Sequence, residues 1–281
     1  MLGINRPAVL VWIAPDGRQL HLAGGADQRR EGVSLDEGLD GVGGLESSPT
    51  FEAAITQIGE TIAGWEHGHG EVDLPITILG KTPADMQAIR EDLKRMFPLG
   101  RAGWLAVNTP VTGWRWLRCH RRSMKPGLSK SPYLTSTMHL DLVLIAEDPR
   151  AETAPVTSQW RNSGDQGKGN LWVTGGDEWP AWPTFVVHGP GQVTLSMLGE
   201  KILLPALDAG ERALLQTDPA RSVLRSIAAD GTSTNRWPDV EGYLSRPIPA
   251  GEMTRVGVRV TDGSRDTSVL AHTRIHMEGL L

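Results

Sequence analysis

The run Glu71-Val72-Asp73-Leu74-Pro75-Ile76-Thr77-Ile78 decides how this chain is to be read. Its apolar residues Val72, Leu74, Ile76 and Ile78 fall on every second position, the period of a strand with one buried face. Pro75 stands on the opposite face and, lacking an N–H, predicts an edge strand or a strand beginning. Just beyond it the pattern changes. Thr82 is a good N-cap residue, Pro83 suits the first helical position, and Asp85 lies where a helix N-terminus favours an anion. Met86, Ile89, Leu93 and Met96 then recur at helical spacing, and Pro98 with Gly100 ends the segment. One strand followed by one helix, Pro83 to Met96, anchors the reading.

Outward from this anchor the chain reads as β. Val9 to Ile13 and Gln19 to Leu22 flank Pro15-Asp16-Gly17, the chemistry of a hairpin turn. Gly24 to Ser48 is rich in Gly and acidic residues without a sustained period, and is expected to be a long loop or arm. Downstream, Gly103 to Asn108, Gly113 to Cys119 and Met138 to Ile145 read as strands, the last with Leu140, Leu142 and Leu144 on one face. Residues 148–169 gather Pro149, Pro155, Gly164, Gly167 and Gly169 with no apolar period, a linker signature. After it, short strands recur with turns about every ten residues, among them Pro183 to His188, Gln192 to Met197, Thr254 to Val260 and Val269 to Met277, which predicts a β-sandwich or barrel. The expected domains are therefore 1–148, a linker 149–169, and 170–281.

Composition agrees with a folded, turn-rich chain. Of 281 residues, 39% are hydrophobic and 22% charged, with 33 Gly and 19 Pro, which favours short strands over long helices. The net charge of −5 argues against nucleic-acid binding through overall charge. A single cysteine, Cys119, leaves no intramolecular disulfide, and no apolar run approaches a membrane span or a secretory signal. The expectation is a soluble protein folding in a reducing compartment.

Candidate chemistry is sparse. His67-Gly68-His69 lacks the third and fourth ligands of a zinc site, and reads as a turn before a strand. His272 and His276 fall on a polar strand face. Asp36-Glu37-Gly38-Leu39-Asp40-Gly41 lacks the alternating ligands and closing Glu of an EF-hand. Cys119 has cationic neighbours that could activate a thiol, but no base or oxyanion site accompanies it, and alternation puts it with Leu117 on a buried face. No G-x-S-x-G, P-loop or G-x-G-x-x-G occurs. Neither a catalytic residue, a metal nor a cofactor is expected. Trp114, Arg115, Trp116, Arg118, Arg121, Arg122 and Lys125 form a basic-aromatic cluster. Such interleaving can bind single strands, but in an acidic chain a basic rim facing an acidic partner is the better expectation. Trp179 and Trp182, in Asp177-Glu178-Trp179-Pro180-Ala181-Trp182-Pro183, could make a sugar-stacking platform. Their place between prolines at a strand entry favours packing.

The order of several segments resembles a known family, the distal tail proteins of long-tailed bacteriophages, called minor tail proteins in phages of actinobacteria. These segments are Leu74-Pro75-Ile76-Thr77-Ile78-Leu79-Gly80, Phe97-Pro98-Leu99-Gly100, Gly113-Trp114-Arg115-Trp116-Leu117-Arg118-Cys119 and Glu147-Asp148-Pro149. The most specific is Gly175-Gly176-Asp177-Glu178-Trp179-Pro180-Ala181-Trp182-Pro183-Thr184-Phe185 running into Gly189-Pro190-Gly191. The resemblance implies a mainly β chain: an N-terminal split β-barrel, the belt domain, with one α-helix, and a C-terminal galectin-like β-sandwich. It implies a virion structural subunit at the tail tip, assembled in the host bacterial cytoplasm. Six copies would form a ring that meets tail tube, tape-measure and hub or baseplate proteins and lets DNA pass through its lumen. A carbohydrate-binding adsorption module is the alternative. For the ring, charge placement suggests that an acidic segment (Asp36, Glu37, Asp40, Glu46) of one copy meets a basic one (Arg115, Arg118, Arg121, Arg122) of the next. The apolar part of the contact is expected from Val72 to Ile78.

Overall fold

The computed structural model describes residues 8–25, 31–44, 46–53, 58–127, 134–164 and 167–281. The chain divides into two compact units, Met1–Glu152 with Met277–Leu281, and Thr153–His276. In the first unit the strands are β1 (Val9–Ile13), β2 (Gln19–Ala23), β3 (Val33–Leu35), β4 (Ser47–Glu52), β5 (Thr61–His67), β6 (Gly70–Leu79), β7 (Gly103–Thr109), β8 (Gly113–Gly127), β9 (Thr137–Ala146) and β10 (Ala151–Thr153). The α-helix among the described residues, α1 (Pro83–Met96), follows β6.

The main sheet runs β2-β1-β7-β8-β9-β6-β3. The long strand β8 makes this possible: Gly113 to Cys119 pairs with β7, and His120 to Gly127 pairs with β9. A bulge between Arg121 and Ser123 separates the two halves; an extra residue there bends the strand and raises its twist. The sheet curls until its outer strands β2 and β3 lie beside each other, a nearly closed barrel. Val72, Leu74, Ile76 and Ile78 face its interior at 0% exposure. Burying four such side chains contributes about 1.5–3 kcal/mol each, which fixes the register of β6. Thr82 Oγ1 accepts the Asp85 N–H at 3.1 Å, and Asp85 Oδ2 accepts the Lys81 N–H at 2.7 Å, a reciprocal cap that starts α1. Met86, Leu93 and Met96 turn inward from the helix. At its end Trp12 stacks on Phe97, with ring centroids 4.4 Å apart, and donates from Nε1 to the Met96 carbonyl at 2.9 Å. Gly103 lies against this indole, where a Cβ would collide with the ring.

Several expectations change. β6 is an inner strand, between β9 and β3, so Pro75 marks no edge. It is tolerated because its carbonyl, and hence its missing N–H, faces the point where β3 has ended; the carbonyl accepts Asp36 N–H at 2.9 Å. The same burial withdraws the side chains of Val72, Leu74, Ile76 and Ile78 from the surface, while Asp73 between them stays exposed. The stretch expected to be a loop contains β3, paired with Ile76 to Ile78, and the start of β4. β4 and β5 pair only with each other, as a two-stranded sheet.

The second unit contains β11 (Val156–Arg161), β12 (Gly167–Thr174), β13 (Thr184–His188), β14 (Gln192–Met197), β15 (Glu200–Leu203), β16 (Arg212–Gln216), β17 (Val223–Ile227), β18 (Ser233–Asn235), β19 (Glu241–Gly242), β20 (Met253–Thr261) and β21 (Ser268–Thr273). These make two sheets, β11-β21-β13-β16-β17-β18 and β12-β20-β14-β15-β19. Phe185, Val187, Leu215 and Val269 from one sheet share a buried cluster with Leu195, Val256, Val258 and Val260 from the other, the construction of a β-sandwich. The supposed linker is not structureless. β10 and β11 lie within it, and β11 pairs with β21 from Val156↔Thr273 to Arg161↔Ser268. It was hidden because most of its residues are exposed, as on an edge strand, so no burial period marks it. The last residues also depart from the expected division. After β22 (His276–Met277) the chain rejoins the first unit, where Leu280 is 1% exposed in the core and its N–H meets the Val42 carbonyl at 3.0 Å.

Candidate interaction surfaces

The acidic and basic segments are largely occupied within their own unit. Asp36, just past β3, accepts from Thr77 Oγ1 and bonds His139 Nδ1 at 2.8 Å. Burial works against its charge, but the hydrogen bonds from Thr77 and His139 prevail and hold the carboxyl below its ordinary range. Asp40 exchanges both backbone bonds with Asp73 at 3.2 Å and caps its own turn, Oδ1 accepting Gly41 N–H at 2.7 Å.

The pleat of β8 divides the basic-aromatic cluster. Arg115, Leu117 and Cys119 turn inward; Trp114, Trp116 and Arg118 turn outward, where Trp114 and Trp116 stack at 6.1 Å. Arg115 is 9% exposed and its Nη1 donates to the carbonyls of Gly279 and Leu281, both at 2.9 Å. Its guanidinium is therefore engaged within its own unit. Arg122, at the bulge, pairs with Glu71. Arg118, Arg121 and Glu37 remain without an ion pair among the described residues. Burial pushes the Cys119 thiol up to about 12, so the neighbouring cations do not activate it.

His67 ends β5 and bonds Ser47 Oγ at 2.9 Å, while His69 sits in the turn into β6. No group of three or more metal-ligating side chains occurs among the described residues, and none of their helices is long and apolar enough to cross a membrane. His272 and His276 are half-buried on β21 and β22. Trp179 and Trp182 are half-buried too, and the Trp182 Nε1 is enclosed by protein. The glycines around them have firm reasons: a Cβ at Gly175 would strike the Pro249 carbonyl, and Gly176 has φ +72° against Ile275.

Two exposed features escaped the sequence reading. Phe51, Ile62 and Trp65 stand 53%, 50% and 56% exposed on the β4–β5 hairpin. Trp172 is 52% exposed on β12; the alternation of Leu171 and Val173 inward was the signal that could have placed it outside.

A scan against protein-family models finds no match, and neither does a search of curated proteins. Solved structures do match in fold. The Dit protein of phage SPP1, described as a paradigm of the hub adsorption apparatus of phages infecting Gram-positive bacteria, has 11% identity and a TM-score of 0.62, over 95% of this chain and 98% of its own. The phage P2 baseplate in its activated conformation with Ca matches at 10% identity and a TM-score of 0.61, over 97% and 99% of the two chains. The same baseplate with Sr gives 10% and 0.61, over 95% and 98%. The chain thus shares, over nearly its whole length, the mainly β fold of phage distal-tail and baseplate proteins.

Proposed function

We propose that this protein is a structural subunit of a bacteriophage tail tip, as the segment order implied for long-tailed phages such as those of actinobacteria. Copies close into a six-fold ring that joins the tail tube to the baseplate hub and lets DNA through its lumen, with the galectin-like sandwich as an appended second domain. The subunit assembles in the host cytoplasm and works in the virion. The observation that carries this reading is the fold likeness to tail-hub and baseplate chains across 95–97% of the sequence. A likeness to one domain would carry far less, because a barrel or a sandwich alone hosts many functions.

The surface of the first unit is suited to such an assembly. In a ring each copy contributes two different patches. The β4–β5 hairpin supplies an apolar one, replacing the buried Val72 to Ile78. Glu37, with Arg118 and Arg121, supplies the charges left for register. Tape-measure, tube and hub proteins are the further partners. Negative-stain microscopy and native mass spectrometry of the purified chain test the reading. Rings of six, alone or on added tail-tube protein, are expected, and a strict monomer under both conditions would overturn it. Arg118→Glu with Arg121→Glu should weaken the ring and Glu37→Lys should partly restore it.

A further inference from the structure

The β4–β5 hairpin has two unlike faces, and a bulge makes them so. Pro49 stands opposite Trp65, Thr50 opposite Gly64, and Phe51 opposite Ile62, with the register shifting between Thr50 and Phe51. Ile62 and Trp65 are three positions apart, which would put them on opposite faces of a regular strand. The extra residue Ala63 turns Ile62 back to the side of Trp65. Pro49, Phe51, Ile62 and Trp65 therefore share one face, and the last three are at least half-exposed. The other face holds Ser48 opposite Glu66 and Glu52 opposite Thr61. Residues 46–66 include Glu46, Glu52, Glu60 and Glu66 and no Lys or Arg. The hairpin is an acidic arm with one apolar side.

A second surface of the same unit has the matching character. Leu10, Trp12, Leu105, Val107 and Leu117 line the core, so the residues between them turn outward. The register sets Trp104 between Ile13 and Arg118, and Asn108 between Val9 and Trp114. Trp114 is 40% exposed and stacks on the half-buried Trp116. Three indoles thus stand on the outward side of β7 and β8, and an apolar surface patch of this kind marks an interaction site. β1, β7 and the half of β8 from Gly113 to Cys119 contain no acidic residue. Arg118, next to the indoles, has no ion pair among the described residues.

We infer that the apolar side of the hairpin of one copy seats on this tryptophan face of a second copy. The inference rests on the tail-tip reading and names the surface that receives the hairpin, the second of the two patches a ring requires. Phe51 and Trp65 on one side and Trp104, Trp114, Trp116 and Arg118 on the other are the residue types on which binding energy concentrates and which pair across interfaces. Charge selects the partner. The acidic arm approaches Arg118 on a face free of carboxylates, whereas two hairpins laid against each other would bring eight glutamates together. The arm and the face lie on different strands of one chain, so the contact is head-to-tail and each pair keeps a free arm and a free face. A single-stranded nucleic acid fits the face less well, because it draws on several cations and Arg118 is the one that turns outward here.

The test uses the full-length chain. Sedimentation velocity should show self-association of the wild type at or below about 1 mM. Phe51→Ser with Trp65→Ser, and separately Trp114→Glu, should each weaken it by roughly thirtyfold or more with melting near the wild-type value, while Trp114→Phe keeps most of it. The two weakened proteins are then mixed. The first has an intact face and the second an intact hairpin, so they should form a one-to-one pair and nothing larger. A benzophenone amino acid in place of Phe51 should, on irradiation, join two copies through a peptide containing Trp104, Trp114 or Trp116, a readout that needs no disabling substitution. Wild-type association in Trp114→Glu, no pair in the mixture, or cross-links to another surface would each overturn the inference. So would a wild type that stays monomeric at that concentration; if its hairpin variants then lose tail-tube protein, the tail-tip reading stands without this contact. One-to-one pairing in the mixture, with wild-type assemblies of a number other than six, would overturn the six-fold ring and leave the contact in place.

Discussion

Asp36 shows how a residue chosen for one role can serve another. Its carboxylate closes a polar corner between β3, β6 and β9 through Thr77 and His139. Because its folded-state value lies below the ordinary 3.8, the folded form binds its proton less readily than the unfolded chain. The contribution is therefore full above the unfolded value and is lost as pH falls through the folded one. Denaturant melts across pH 2–6 should show that acid limb for the wild type and a flatter one for Asp36→Asn. Arg115 is the second case. Its guanidinium is buried with two backbone carbonyls as its acceptors, and hydrogen bonds to charged groups contribute about 1.5–3 kcal/mol each. Arg115→Met should destabilise the first unit by about 2–3 kcal/mol, seen as a lower melting temperature. If Arg115 instead served another copy of the chain, the monomer's melting would not move.

At the scale of elements, legibility followed burial. β6 and α1 could be read from sequence because each buries one face, which imposes a period of two or of 3.6 on the apolar residues. The hairpin β4–β5 is exposed on both faces along almost its whole length, so no period marks it. β11 carries no period for the same reason. The basic segment could be read as a strand, yet treating Arg115, Arg118, Arg121 and Arg122 as one patch ignored the pleat and the bulge, which send them to different surroundings. Two strands alone are marginal in water, and three large apolar side chains on such a pair are poorly accounted for by the chain by itself. Replacing Phe51 and Trp65 by Ser should leave stability within about 0.5 kcal/mol, as for exposed sites, and should abolish self-association or binding to tail-tube protein. Sedimentation velocity measures the second effect and thermal melting the first. A large stability loss with intact assembly would make the hairpin part of its own unit's fold.

For the whole molecule, the two units have separate cores, one centred on Trp12, Leu74 and Phe97 and the other on Phe185, Leu215 and Val258. They are not successive beads on a string, because the chain leaves the first unit after Glu152 and returns to it at Met277. Removing residues 277–281 should therefore lower the melting of the first unit, which loses Leu280 and both acceptors of Arg115, and leave the second unit's transition in place. Scanning calorimetry with each unit followed by its own tryptophans would show this. A downward shift confined to the second transition would contradict the division.

That return has a consequence in time as well as in space. On the ribosome, residues 277–281 are made only after the entire second unit, so the sandwich can reach its native state while the barrel still lacks Leu280 and the carbonyls that Arg115 meets. A nascent or prematurely ended chain then carries a finished appendage on an unfinished body. If the barrel surface is what recognises other subunits, joining is deferred until translation has run through to Leu280, and incomplete copies are kept out of the structure by the order in which the chain is written.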